Sequence, residues 1–133
     1  MASELLDRSW TAVPPSVPDA RHAVMRHLSE ASTPDPPLND IGVAVSEAVT
    51  NAVHHAYVDR DPGAVRVRVE LSEYEIEVVV EDDGTGMRPR PDSPGLGLGM
   101  PMINDLASRL EIANRDRGGT ELRMRFALGP RSA

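Results

Sequence analysis

The chain contains no cysteine and no lysine, and its aromatic residues are one Trp, one Phe and two Tyr among 133 positions. Without cysteine there is neither a disulfide frame nor a thiolate metal site, which fits a cytoplasmic protein. With Arg as the whole basic complement, any mechanism built on a lysine amine is excluded. An aromatic content of 3% offers few faces on which bases could stack. The net charge of −7 argues against general affinity for nucleic acid or anionic lipid, because such binding draws on a cationic patch to displace counterions. No apolar run approaches the length of a bilayer span, and Met1 to Asp7 lacks the basic start and apolar stretch of a secretory signal. A soluble protein with no membrane and no direct nucleic-acid partner is expected.

What is present suits one globular domain over residues 1–133, at an ordinary hydrophobic content of 40%. Proline-rich pieces at Pro14-Pro15, Pro34 to Pro37 and Pro89 to Pro91 read as loops. Between them the patterning predicts a strand near Leu5 to Val13, a helix carrying Val17, Ala20, Val24, Leu28 and Ala31, and a second helix from about Leu38 to Ala56. Two strands of period two follow, Val65 to Leu71 and Ile76 to Glu81, forming a hairpin. A helix from about Leu98 to Ala107 and strands around Leu110 to Ala113 and Thr120 to Leu128 complete the order. That succession predicts an α+β two-layer sandwich, with helices on one face of a mixed, mostly antiparallel sheet.

In the second helix Glu47 and Asn51 lie four residues apart, hence one above the other, in a run that is otherwise mostly Ala and Val. A helix this apolar is expected to be buried, and a buried carboxylate needs a partner, so the stripe reads as the wall of a polar cavity. An amide oxygen from Asn51, completed by phosphate oxygens and water, would suit Mg²⁺, and Glu47 could serve as a proton acceptor. His54 and His55 follow on the same helix, where a core or capping role is the ordinary one.

Three later segments bear on what fills that cavity. Asp82 shares the parity of Ile76, Val78 and Val80, so a carboxylate turns inward where the strand ends, followed by Gly84, Gly86 and Met87. A turn with solvated acids is the competing account of this segment. Thr120 shares the inward parity of Leu122, Met124 and Phe126, and could support Asp82 directly or through water. Gly95, Gly97, Leu98, Gly99 and Met100 open a helix whose N–H groups could meet an anion, with Arg88 and Arg90 nearby; a plain flexible loop is the commoner use of such glycines.

As an ordered set, Glu47-x-x-x-Asn51, Asp82-x-Gly84-x-Gly86, Gly95-x-Gly97-x-Gly99 and Gly118-Gly119-Thr120 resemble the nucleotide-binding boxes of the GHKL ATPases. Within them, Ser46 to Ala52 followed by His55-Ala56-Tyr57 is similar to the anti-sigma factor serine kinases. The resemblance implies a Bergerat fold binding Mg-ATP beneath a lid. Asp82 would accept from the adenine amino group with Thr120 in support, Asn51 would hold Mg²⁺, and Glu47 would be the general base. His55, Gly84, Gly86, Met87, Gly95, Gly97, Leu98, Gly99 and Met100 would complete the nucleotide site. It further implies a homodimeric protein-serine kinase that phosphorylates an anti-anti-sigma protein of the STAS type and sequesters a sigma factor, with Arg21 contacting the partner. Ala56 stands where Gly is common in the family, and the lid segment 88–94 is short and Pro-rich.

Two other readings compete. One is a non-catalytic module that uses ATP to set partner affinity; retention of Glu47 favours catalysis. The other is the ATP-binding half of a histidine kinase, which the glycine box fits, although little chain precedes the second helix for a phosphoacceptor domain.

Overall fold

In the computed structural model, residues 3–31, 36–57, 61–84, 99–115 and 118–128 are described. Strand β1 (Ser3–Thr11) leads into helices α1 (Ser16–Glu30) and α2 (Leu38–Asn51), and α2 runs on as a π-helical turn, Ala52–Ala56. Strands β2 (Ala64–Leu71) and β3 (Glu75–Asp82), helix α3 (Gly99–Leu106), and strands β4 (Arg109–Asn114) and β5 (Thr120–Ala127) follow. The five strands form one sheet in the order β1-β2-β3-β5-β4. Each of the described ladders is antiparallel, so the mostly antiparallel sheet expected from the sequence has no parallel pair among the described residues.

The helices cover one face, and the core follows from strict alternation. Val65, Val67 and Val69 of β2, Ile76, Val78 and Val80 of β3, and Leu122, Met124 and Phe126 of β5 point inward and are buried. Against them α1 sets Ala20, Val24 and Leu28, and α2 sets Ile41, Val45, Ala48 and Val49. Small residues let the helices sit close together: at Gly42 an added Cβ would stand 3.2 Å from the sulfur of Met25.

Helix α2 is not buried all round. Its buried stripe is Ile41, Gly42, Ala44, Val45, Ala48 and Val49, and Glu47 and Asn51 lie on the flank, half-buried. The expectation of a fully buried Glu47 is thereby corrected: a carboxylate on the flank keeps water access and needs no internal partner.

The opposite face of the sheet carries charges of both signs. Arg66 grips Asp7 through two parallel bonds of 2.7 and 2.6 Å, and Arg123 and Arg125 reach Glu77 at 2.7 and 3.0 Å. Arg68 pairs with Glu81. Val79, on this outer face, is nevertheless buried, because its register partners are Arg68 and Arg123, whose aliphatic stems flank it. The acids and arginines on this face pair with one another. Among the described residues no helix is long and apolar enough to cross a membrane.

Candidate functional site

The strand patterning brings Asp82 and Thr120 together at one end of the sheet, where they are register partners in the β3–β5 ladder and both are buried. The Asp82 carboxylate accepts from the Gly84 N–H at 2.9 Å and from the backbone N–H of Thr120. Burial pushes its pKa above the usual carboxylate value; the two N–H donors and the Arg115 charge oppose that rise, and the neighbouring Asp83 charge adds to it. Such a group retains acceptor capacity in a sheltered place, which suits recognition of an N–H donor on a ligand.

Two glycines allow the chain to close here. A Cβ on Gly84 would lie 2.0 Å from the carbonyl oxygen of Ala56, so the π-helical turn rests directly on the segment after Asp82. Gly119 has φ +97°, and a Cβ there would lie 1.9 Å from the Asp82 carbonyl oxygen.

The π-helical turn begins immediately after Asn51 and ends against Gly84, so it joins the polar flank of α2 to the Asp82 end of the sheet. Its extra residue per turn is a feature often found beside functional sites. The turn is closed by Tyr57, a buried residue whose hydroxyl donates to the Ala64 carbonyl at 2.6 Å and accepts from the Asp83 N–H at 2.8 Å.

Asn51 Nδ2 is buried and lacks a hydrogen-bond partner among the described residues. An amide NH₂ only donates, so what would complete it is an acceptor such as a phosphate oxygen, while the side-chain oxygen of the same residue is the atom that could meet a cation. Among the described residues no group of three His, Asp or Glu forms a metal cage. A single amide oxygen, that of Asn51, is chemically compatible with a hard cation that draws its remaining ligands from phosphate and water.

Arg21 of α1 is half-buried, with Nη1 donating to Ser46 Oγ at 3.5 Å, which lays it across α2 one residue before Glu47. His54 is exposed, and His55 lies in the π-helical turn rather than in a continued α-helix. Gly99 and Met100 open α3, as the glycine-rich segment predicted. Gly86, Met87, Gly95, Gly97 and Leu98, together with Arg88 and Arg90, lie outside the described residues.

Two contributors escape a reading of motifs. Tyr57 belonged to a matching motif, but only the fold reveals that its hydroxyl bridges two strands; the signal was a buried tyrosine's need of a partner. Arg115 reads from sequence as a turn residue. In the fold its Nη1 donates to the Asp82 carbonyl at 3.0 Å and pairs with Asp83.

A sheet with helices on one face, ending in a sheltered acid beside a glycine-relieved turn, defines the class of a two-layer α+β domain. Residues 10–126 match the histidine kinase-like ATPase domain model, and the chain belongs to that family. It is 41% identical over 49 residues to an anti-sigma F factor of Clostridium novyi (strain NT), covering 37% of this chain and 34% of that protein. It is likewise 42% identical over 48 residues to an anti-sigma F factor of Clostridium beijerinckii, covering 36% of this chain and 34% of that protein. The aligned region thus spans about a third of these relatives. The crystal structure of the RsbU and RsbW domains of a Mycobacterium tuberculosis protein superposes with a TM-score of 0.73 at 24% identity, over 95% of this chain and 32% of that one. That likeness bears on the fold.

Proposed function

We propose that the protein is an ATP-dependent protein-serine kinase that doubles as an anti-sigma factor, phosphorylating a STAS-type anti-anti-sigma protein and holding a sigma factor inactive in the alternative complex. The observation that carries this reading is the pairing of buried Asp82 with Thr120 at the sheet end, beside the orphaned Asn51 amide, in a histidine kinase-like ATPase domain. The local similarity to two anti-sigma F factors supports the biological half. Homodimerisation and a cytoplasmic setting belong to the same proposal.

In this scheme Asp82 accepts from the adenine amino group, and Thr120 flanks it. Gly84 and Gly86 let the base approach, and Met87, His55, Leu98 and Met100 border the nucleotide. By the family resemblance Gly95, Gly97 and Gly99 would serve the phosphates, for which N–H groups at the start of α3 are suitable donors. Asn51 would hold Mg²⁺ through its side-chain oxygen. The cation, when bound, neutralises phosphate charge and so lowers the barrier to transfer. Glu47, on the same helix face and open to water, takes the proton of the substrate serine hydroxyl as its oxygen attacks the γ-phosphorus. The bond from that phosphorus to the β–γ bridging oxygen breaks, and ADP leaves. Arg21 is the partner contact on α1, beside the catalytic helix.

The deciding experiment incubates the protein with Mg-ATP and candidate anti-anti-sigma proteins and reads intact mass. Addition of one phosphoryl group to a partner serine is the expected result. Nucleotide-dependent complex formation without any mass change would leave a non-catalytic switch in its place.

A further inference from the structure

The Asp82–Asp83 peptide is held at both ends. Its carbonyl oxygen accepts from Arg115 Nη1 at 3.0 Å, and its N–H donates to the Tyr57 hydroxyl at 2.8 Å. Tyr57 reaches it from the π-helical turn, and Arg115 from beyond the end of β4. A peptide unit is planar, so fixing both its polar ends removes the freedom of the Asp82 main chain from which the buried carboxylate projects. Arg115 is itself pinned: its N–H donates to the Gly119 carbonyl at 3.0 Å, its carbonyl accepts from the Gly118 N–H at 3.0 Å, and its Nε lies 3.7 Å from Glu81.

The exposed pair with Asp83 has little value as an ion pair alone. The bond to the Asp82 carbonyl differs, because it joins a charged donor to the backbone of a buried residue whose side chain points to the opposite face of the sheet. Arg115 therefore acts on Asp82 through the main chain and not by reaching the ligand.

We propose that Arg115 is a positioning residue for base recognition: by holding the Asp82–Asp83 peptide against Tyr57, it aims the Asp82 carboxylate and sets the preference for a purine bearing a 6-amino group. This rests on the reading of Asp82 as the adenine acceptor. A group of fixed direction discriminates strongly against a ligand lacking the matching donor, whereas one free to swing discriminates weakly.

The test measures calorimetric affinity of the full chain, with Mg²⁺, for ATP and for purine riboside triphosphate, which lacks the amino group. In Arg115→Met, which keeps the aliphatic stem, ATP affinity is expected to fall roughly tenfold while affinity for the amino-free nucleotide changes by less than about twofold. The ratio of the two affinities thus drops. Arg115→Lys, which keeps the charge on an ammonium without the planar fork, is expected to recover part of that ratio. Arg125→Met removes another outer-face arginine, one that pairs with Glu77 away from the end of β3, and is expected to keep the wild-type ratio. Tyr57→Phe frees the other end of the same peptide and is expected to lower the ratio too; it decides the matter if Arg115→Met does not fold. A folded Arg115→Met with the wild-type ratio, or one that loses both nucleotides equally, overturns the proposal. A wild-type protein that binds the two nucleotides equally overturns the adenine reading itself, a distinct outcome.

Discussion

Asp82 and Thr120 occupy the last rung shared by β3 and β5, facing each other with 8% and 4% of their surface exposed. Two backbone N–H groups, of Gly84 and Thr120, already bond the Asp82 carboxylate and leave it further acceptor capacity. Asp82→Asn preserves size but presents an amide donor where the adenine amino group needs an acceptor. ATP affinity is expected to fall roughly 100-fold by calorimetry, with the fold intact by circular dichroism. Thr120→Val should cost less, and the double variant should be non-additive, as for residues in one network.

The raised pKa of Asp82 gives stability and binding opposite pH dependence. Burial is the main cause of the rise, so the folded value lies above the unfolded one. The stability linked to this group is then fully present below the unfolded pKa, and is lost as pH rises through the folded pKa. Urea unfolding of wild type and Asp82→Asn at a series of pH values should therefore show the wild type gaining relative to the variant on acidification through that window. ATP affinity should move the other way, weakening as the carboxylate is protonated. Parallel trends would remove Asp82 from the base site.

Gly118 and Gly119 both have positive φ, of 94° and 97°, yet they should respond differently to substitution. An added Cβ on Gly118 meets its nearest neighbour, the Gly84 carbonyl oxygen, at 3.7 Å, which leaves backbone strain of about 1–2 kcal/mol as the cost. On Gly119 it meets the Asp82 carbonyl oxygen at 1.9 Å, so β5 or the end of β3 must shift. Gly119→Ala should lower the thermal midpoint clearly more than Gly118→Ala, and should weaken ATP binding as well.

Alternation made most of this architecture legible. The inward parity of Val65, Val78 and Met124 fixes which face is core, and the same parity carried two residues on predicts that Asp82 turns inward. Helical spacing located α1 and α2 but carried the second helix on to Ala56, because spacing alone does not distinguish the π-helical turn that follows Asn51. Nor did it reveal that Glu47 is only half-buried, since Ala and Val on a helix do not say which side of the stripe faces water. Tyr57 and Arg115 were illegible for a related reason. Their partners, Ala64, Asp82 and Asp83, are backbone and side-chain groups brought near only by strand pairing.

Asn51 tests whether the site carries a stability cost for its ligand. Its buried Nδ2 has no partner among the described residues, so Asn51→Leu, of similar size, removes an unsatisfied group. The ligand-free variant is expected to be as stable as the wild type or more stable by about 1 kcal/mol. The rise in thermal midpoint that Mg-ATP confers on the wild type should disappear, because only binding to the folded state produces it. Retention of that rise in full would place the metal–phosphate contact elsewhere.

Glu47 separates binding from chemistry. It sits one helical turn before Asn51 on the flank of α2, half-buried. Glu47→Ala should leave Mg-ATP affinity within about threefold, because no uniform binding interaction is assigned to it. Transfer of radiolabel to the partner serine should slow roughly 10²- to 10⁴-fold, the usual contribution of a general base. Glu47→Gln keeps the shape and removes the basicity, so it should be as slow as the Ala variant. A Gln variant that transfers phosphate at the wild-type rate would show that Glu47 orients the serine and does not take its proton.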